Sequence, residues 1–369
     1  MMDYRLKRRT FLGASFGAGL AIAGLNSCTT QSQTGDGSTS SSGSGGRLVA
    51  ATYQGNWEDA HRKILVPAFK KATGADVTLI PLFAVDQVAR LKAAGASNPP
   101  FDVAILDPGP LITAPKEEIL QSFPTALSKS INDVLPRYQK AGGSGNWGPI
   151  IGLQFVGIAY NPKKISTPPT SWADLWKPEY KGRVGITNMN STLGTGWMVE
   201  IAKMHGGSEA NLEPAFEAVK ELLPNLAAVA PNLGALSTLF QQGEIDIAPH
   251  NMSSIALLQS KGVDVDWVIP KEGSYAFGAS MHVVKNPVAG AELAVAYIDA
   301  ALSTEVQSAM GDAPYYIAPV NKNVPLKGIL AEKIAKTFDD YEKYIYQDWE
   351  TISKQRSEWI ERFNKEVTV

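Results

Sequence analysis

The sequence has almost no cysteine. Its 369 residues hold a single one, Cys28, which excludes an internal disulfide framework and any cysteine-rich zinc or iron–sulfur site. Histidine is nearly as scarce. His61, His205, His250 and His282 never fall at the short spacing that puts two imidazoles on one metal, so each reads as a surface or core residue. Neither sign of charge is in excess, with 34 basic residues against 36 acidic ones, and a phosphate backbone needs a basic surface, so nucleic acid is excluded as a main partner. Beyond the N-terminus, no apolar run reaches the roughly 18 residues that span a bilayer. Enzyme signatures are missing or misplaced. G-x-x-x-x-G-K-[ST] and H-E-x-x-H do not occur. Gly13-Ala14-Ser15-Phe16-Gly17 has the form of a nucleophile elbow but lies inside an export signal. Gly143-Ser144-Gly145-Asn146-Trp147-Gly148 has the form G-x-G-x-x-G, but no strand precedes it and Pro149 stands where a helix would open. These absences predict no enzyme, no cofactor and no metal.

What is present begins with an address. Arg5, Lys7, Arg8 and Arg9 precede a small, apolar stretch that runs to Leu25, the pattern of a secretory signal. Arg8-Arg9 followed by Phe11-Leu12 resembles a twin-arginine signal; the alternative is an ordinary export signal with a chance arginine pair. Leu25-Asn26-Ser27-Cys28 resembles a bacterial lipobox, in which Cys28 is acylated and becomes the mature N-terminus; the alternative is a plain cleavage site. Residues 1–28 are therefore expected to be a signal peptide. Residues 29–46 (TTQSQTGDGSTSSSGSGG) are too poor in apolar side chains to fold and form a tether, with an r.m.s. reach of about 25 Å. Membrane contact would come from lipid alone, on an exported protein of the periplasm or cell envelope.

From Arg47 onward, with 44% hydrophobic residues over the whole chain, there is material for two or three domains. Strand and helix patterns alternate: strands at 48–53, 77–82, 101–106, 182–187, 245–248, 265–269 and 281–285, and helices at 57–73 with Gly74 as C-cap, 85–94, 193–205, 212–222, 235–241 and 289–302. Residues 107–109 read as a turn, 149–160 as a long apolar stretch, and 328–369 as mainly helical. Alternation at this spacing predicts an α/β protein with a largely parallel sheet. In such sheets ligands bind outside the carboxyl ends of the strands. That rule selects Tyr53, Asn56 and Trp57 after the first strand and Asp107 after the third. It also selects Asn190, Ser191 and Thr192 at a helix start, and His250 and Asn251 after strand 245–248. Aromatic faces, amides, hydroxyls and one carboxylate suit a small polar solute, cations included.

The chain resembles the extracellular solute-binding proteins of ABC importers, in the group holding polyamine-, thiamine- and ferric-ion-binding members. The resemblance is carried by residues 53–58 (YQGNWE), 67–74 (PAFKKATG), 101–104 (FDVA), 157–162 (GIAYNP), 169–182 (PTSWADLWKPEYKG), 240–248 (FQQGEIDIA) and 318–322 (APVNK). It implies a bilobal periplasmic-binding-protein fold of type II, two α/β lobes joined by hinge strands, with the solute between them. One lobe would be 47–152 with 280–317 and the other 153–279 with 318–369, with crossings near 154–157, near Gly278 and near 316–320. It adds Gln154 and Tyr316 to the expected ligand contacts, and a membrane-embedded ABC permease as partner of a monomer. Ferric-binding members follow the 243–246 stretch with a tyrosine pair; here Ser253 and Ser254 stand in its place, which disfavours iron. The resemblance makes an organic cation of the polyamine or thiamine kind the leading class, and an organic anion, a phosphonate or sugar phosphate held at the Ser191/Thr192 helix start, remains an alternative. So do a sensor domain for a membrane receptor and an enzyme on the same fold; the enzyme would need a cleft cysteine, and the only cysteine is Cys28.

Overall fold

The computed structural model describes residues 46–114, 116–143 and 145–367. The signal peptide, the lipidation site Cys28 and nearly all of the tether lie outside the described residues. Nine strands form one mixed sheet: β1 (Arg47–Thr52), β2 (Asp76–Pro81), β3 (Val103–Leu106), β4 (Ile150–Tyr160), β5 (Val184–Thr187), β6 (Leu226–Ala230), β7 (Ile247–Asn251), β8 (Asp266–Val268) and β9 (Tyr275–Val283). Their order is β2-β1-β3-β9-β4-β7-β5-β6, with β8 paired to β4.

The expectation of a largely parallel sheet is corrected. β1 pairs in parallel with β2 and β3, and β5 with β6 and β7, but β4 and β9 meet every neighbour antiparallel. These two strands are buried along nearly their whole length. β4 reads as a nearly continuous apolar run because both faces are covered. β9 also starts six residues before the expected 281, since Tyr275–Ser280 pair with β4. One end of β9 pairs with β3, and the far end of β4 pairs with β7. The pair thus ties the β2-β1-β3 group to the β7-β5-β6 group. Residues 318–320 approach the same place, with Leu153 N donating to Ala318 O at 2.9 Å.

Apolar helix faces cover the sheet. Helix Val66–Thr73 ends at Gly74 in the left-handed region, as its sequence predicts, and buries Phe69 edge-on to Tyr297. Around β5, Leu193, Trp197, Phe216 and Val219 join Trp359 and Phe363 of the C-terminal helix Arg356–Glu366 in one cluster. That packing carries the chain's last helix to the C-terminal end of β5. The expected helical stretch 328–369 is broken into four short pieces.

Candidate ligand-binding site

After β1 the chain turns at Gly55, whose φ of 81° a side chain would oppose, and enters a helix at Asn56. The turn sets the Tyr53 and Trp57 rings edge to face, 5.9 Å apart. Trp57 is buried, and Asn56 Nδ2 donates to Tyr315 O at 2.8 Å. That bond brings the expected contact Tyr316 to within one residue of the turn. Tyr316 itself is held at φ 51°, a conformation uncommon for a bulky residue, and such outliers cluster at ligand sites.

Asp107 follows β3. The expected turn over 107–109 is instead the first turn of helix Pro108–Thr113, and Asp107 occupies its N-cap without a side-chain capping bond. Proline is compatible with that position because its missing N–H would be unpaired in any case. The side chain is partly exposed, but its Oδ1 is buried without a hydrogen-bond partner. Burial raises its pKa, with Thr192 and the Arg356 charge acting in the opposite direction. The Tyr53 hydroxyl is likewise buried and unpartnered, and its pKa is pushed well up by burial and by the Asp107 charge.

Facing Asp107 is the segment after β5. Ser191 caps helix Thr192–Met204, its Oγ accepting from Leu193 N at 3.2 Å. Thr192 is 2% exposed and its Oγ1 has no partner, like Thr187 Oγ1 and Asn188 Oδ1 beside it. The two helix starts meet at Gly109, where a Cβ would lie 3.2 Å from Thr192 Oγ1 and 3.3 Å from both Arg356 Cζ and Trp349 Cζ3. A cavity of about 250 Å³ opens next to this point, lined by Pro108, Leu111, Ile150, Gly278, Gln347 and Trp349 among others.

Arg356 is the residue that sequence reasoning missed. It is 6% exposed. Its Nε donates to Thr195 Oγ1 at 3.1 Å, and its Nη2 to Met189 O at 3.0 Å and Asn190 O at 2.8 Å. Asn190 therefore serves through its carbonyl, while its side chain is exposed. Burial lowers the Arg356 pKa and the Asp107 charge raises it. A signal was available: Ile352, Arg356, Trp359 and Phe363 share the spacing of one helix face, and a guanidinium on an apolar stripe needs a reason.

Gln154, His250 and Asn251 form a second group. The expected loop at 249–251 is instead part of β7, which pairs with β4 as far as Asn251. Asn251 Nδ2 donates to Gln154 Oε1. The His250 ring bonds Asn251 Oδ1 through Nδ1 at 2.9 Å and Ser237 Oγ through Nε2 at 3.1 Å. Burial holds its pKa at about 4. Both ring nitrogens are occupied, so His250 orients Asn251 and has no atom left for a ligand. Among the described residues no group of three His, Cys, Asp or Glu side chains could hold a metal, and no helix is long and apolar enough to cross a membrane.

Residues 98–355 match the family model described as bacterial extracellular solute-binding protein. The chain is 28% identical over 207 residues to the spermidine/putrescine-binding periplasmic protein of Escherichia coli, a match over 55% of this chain and 54% of that protein. It thus spans about half the length of that relative. It is 24% identical over 304 residues to a putative 2-aminoethylphosphonate-binding periplasmic protein of Salmonella typhimurium, over 81% of this chain and 85% of that one. Among solved structures it is similar to a periplasmic binding protein of Actinobacillus pleuropneumoniae with fructose-6-phosphate bound, with TM-score 0.71, 22% identity and coverage of 87% and 98%. A periplasmic thiamin-binding protein gives TM-score 0.69, 22% identity and coverage of 88% and 96%. These neighbours establish the fold as the bilobal α/β architecture of periplasmic binding proteins. The family model spans well over half of the chain, which belongs to the bacterial extracellular solute-binding proteins.

Proposed function

We propose that this protein captures a small polar solute bearing a protonated nitrogen and delivers it to an ABC permease. One observation carries the solute class: Asp107 Oδ1, Asn188 Oδ1 and the Tyr53 hydroxyl are buried without partners directly after the carboxyl ends of β3, β5 and β1. Buried acceptors left unpaired cost free energy until an N–H donor reaches them, and a buried carboxylate is best satisfied by a cation. The Tyr53 and Trp57 rings supply the π faces that such a cation also favours. The division into lobes 47–152 with 280–317 and 153–279 with 318–369 is part of this reading, with closure about β4, β9 and residues 316–320. So are export, a lipid on Cys28, a monomeric state and a role without catalysis.

A second reading, an organic anion, is favoured by one feature: the buried Arg356 guanidinium beside the start of helix Thr192–Met204, whose dipole favours negative charge. A thermal-shift screen of the mature chain decides between them, using putrescine, spermidine, thiamine, inorganic phosphate and fructose-6-phosphate. A bound solute at 100 times its Kd adds about 2.7 kcal/mol of apparent stability. A response to the amines supports the proposal; a response to the phosphates alone overturns it.

A further inference from the structure

We propose that Gly109 is a positioning residue for solute binding: it is the point at which helix Trp349–Ser353 latches one half of the molecule onto the other when the cleft closes. This rests on the two-lobe reading above and not on the charge of the solute. Backbone conformation does not require this glycine. It lies in helix Pro108–Thr113 and is not among the glycines held at positive φ, and within a helix glycine is less stable than alanine. What the missing side chain permits is contact. A Cβ at 109 would lie 3.2 Å from Thr192 Oγ1 and 3.3 Å from both Trp349 Cζ3 and Arg356 Cζ, inside the separation of about 3.5–4.0 Å at which carbon atoms pack best.

The residues that meet there belong to the two strand groups that β4 and β9 tie together. Gly109 follows β3 of the β2-β1-β3 group, and Thr192 follows β5 of the β7-β5-β6 group. Arg356 bonds the carbonyls of Met189 and Asn190 on that second side, and Trp349 is buried in the cluster around β5. The same short helix makes a second contact of this kind, since a Cβ at Gly143 would strike the Glu350 carboxylate. Two consecutive residues of one helix thus rest on two glycines from the first half of the chain. These are side-chain contacts, and unlike the hydrogen-bonded strands they can part when a hinge opens. A solute held by both lobes binds the closed form, so its apparent affinity scales with the closed fraction. A side chain at 109 lowers that fraction and should weaken every solute by one common factor, whatever its charge.

Cross-linking and small-angle scattering test this without a solute. In a Cys28→Ser background, which has no other cysteine, Gly109→Cys with Thr192→Cys brings two Cβ atoms within reach of a disulfide. Oxidant should close that cross-link and give the smallest radius of gyration of any form, while Gly109→Leu should stay larger than the oxidised pair. A pair that resists oxidation, or a folded Gly109→Leu protein as compact as the cross-linked one, overturns the proposal. Calorimetry with putrescine, thiamine and fructose-6-phosphate supplies the second readout. Every probe that wild type binds should lose the same factor, at least tenfold, in a Gly109→Leu protein that melts like wild type; unequal losses would make Gly109 an ordinary ligand contact and overturn the latch. Should Gly109→Leu fail to fold or melt lower, Gly109→Ala takes its place, with losses of the same sign and smaller size. Scattering with the bound probe separates the latch from the reading beneath it. If wild type and Gly109→Leu contract equally, the two lobes stand and the latch falls. If neither contracts and the cross-linked pair matches both, the two-lobe reading itself is wrong.

Discussion

Replacing Asp107 by Asn removes one charge and changes little else, because the amide keeps the size of the side chain and its Oδ1. Asp107 makes no capping bond to its own helix, so the substitution should not loosen the turn. The carboxyl pKa is raised because burial outweighs the help of Thr192 and Arg356. The ionised form is therefore a net cost to the fold at neutral pH. A carboxyl with a raised folded pKa contributes stability below its unfolded pKa of about 3.9 and loses that contribution as pH rises through the folded value. Asp107→Asn should then melt no lower than wild type at pH 7, and higher if the cost is large. Binding should move the other way. A charge-assisted contact that is partly desolvated is worth about 1.5–3 kcal/mol, so affinity for an amine should fall about 10- to 150-fold. Wild-type affinity should also decline as acid protonates the carboxyl, while the mutant's stays flat across the same range. Calorimetry at several pH values with parallel melting curves reads all three quantities. A folded mutant with unchanged affinity and unchanged pH profile would refute the placement of Asp107 in the site.

A Cβ at Gly194 would lie 2.1 Å from Asn188 O and 2.7 Å from Thr187 O, so Gly194→Ala should displace the loop after β5. It should cost about 1–3 kcal/mol by melting and weaken solute binding more than Gly206→Ala at the far end of the helix. His61, His250 and His282 are buried neutral, with pKa values lowered by burial to about 3, 4 and 4. Their depressed values make the fold lose stability as pH falls from about 6.5 toward 4, each adding a slope of up to about 1.4 kcal/mol per pH unit. His250→Gln should flatten a plot of unfolding free energy against pH by that amount. Cys28→Ser should leave the domain folded but move it from the membrane fraction to the soluble one; a mutant that still sediments with membranes after a salt wash would count against acylation.

The alternating elements were legible because their cues are local. Apolar spacing at 64–69 and the glycine at 74 sufficed for a helix and its stop, and the strand ending at Thr52 needed only its own composition. The failures share a cause. β6, with sequence LAAVA, has no β-branched run or alternation strong enough to stand out, and it is a strand because β5 pairs with it. β9 was truncated for the same reason: YAFGASMHV is a strand in full only because β4 and β3 each pair with part of it. The parallel expectation failed at β4 and β9, which tie the β2-β1-β3 group to the β7-β5-β6 group and pair antiparallel with the strands beside them. None of that long-range pairing is written in a window of ten residues.

The site divides along the same line. Tyr53, Asp107, Ser191 and Thr192 were reachable because strand ends can be found locally and the carboxyl-end rule then places them together. His250 was misjudged because β7 extends three residues past the expected end, and those residues turn inward to bond one another. The charge of the site was out of reach for a different reason. From strand ends alone the pocket holds one carboxylate and no base, and that count favours an organic cation. Its counterion comes from a helix that begins 249 positions after Asp107 in the chain, drawn there by Trp359 and Phe363 packing behind β5. The last helix thus brings Arg356 to a point where Pro108 and Ile150 from the first half of the chain meet Gly278, Gln347 and Trp349 from the second. On the proposed reading, substrate class follows from that sum of charges and not from any single loop. For this reason relatives that share the loops and differ at the C-terminal helix should differ in the charge of the solute they take.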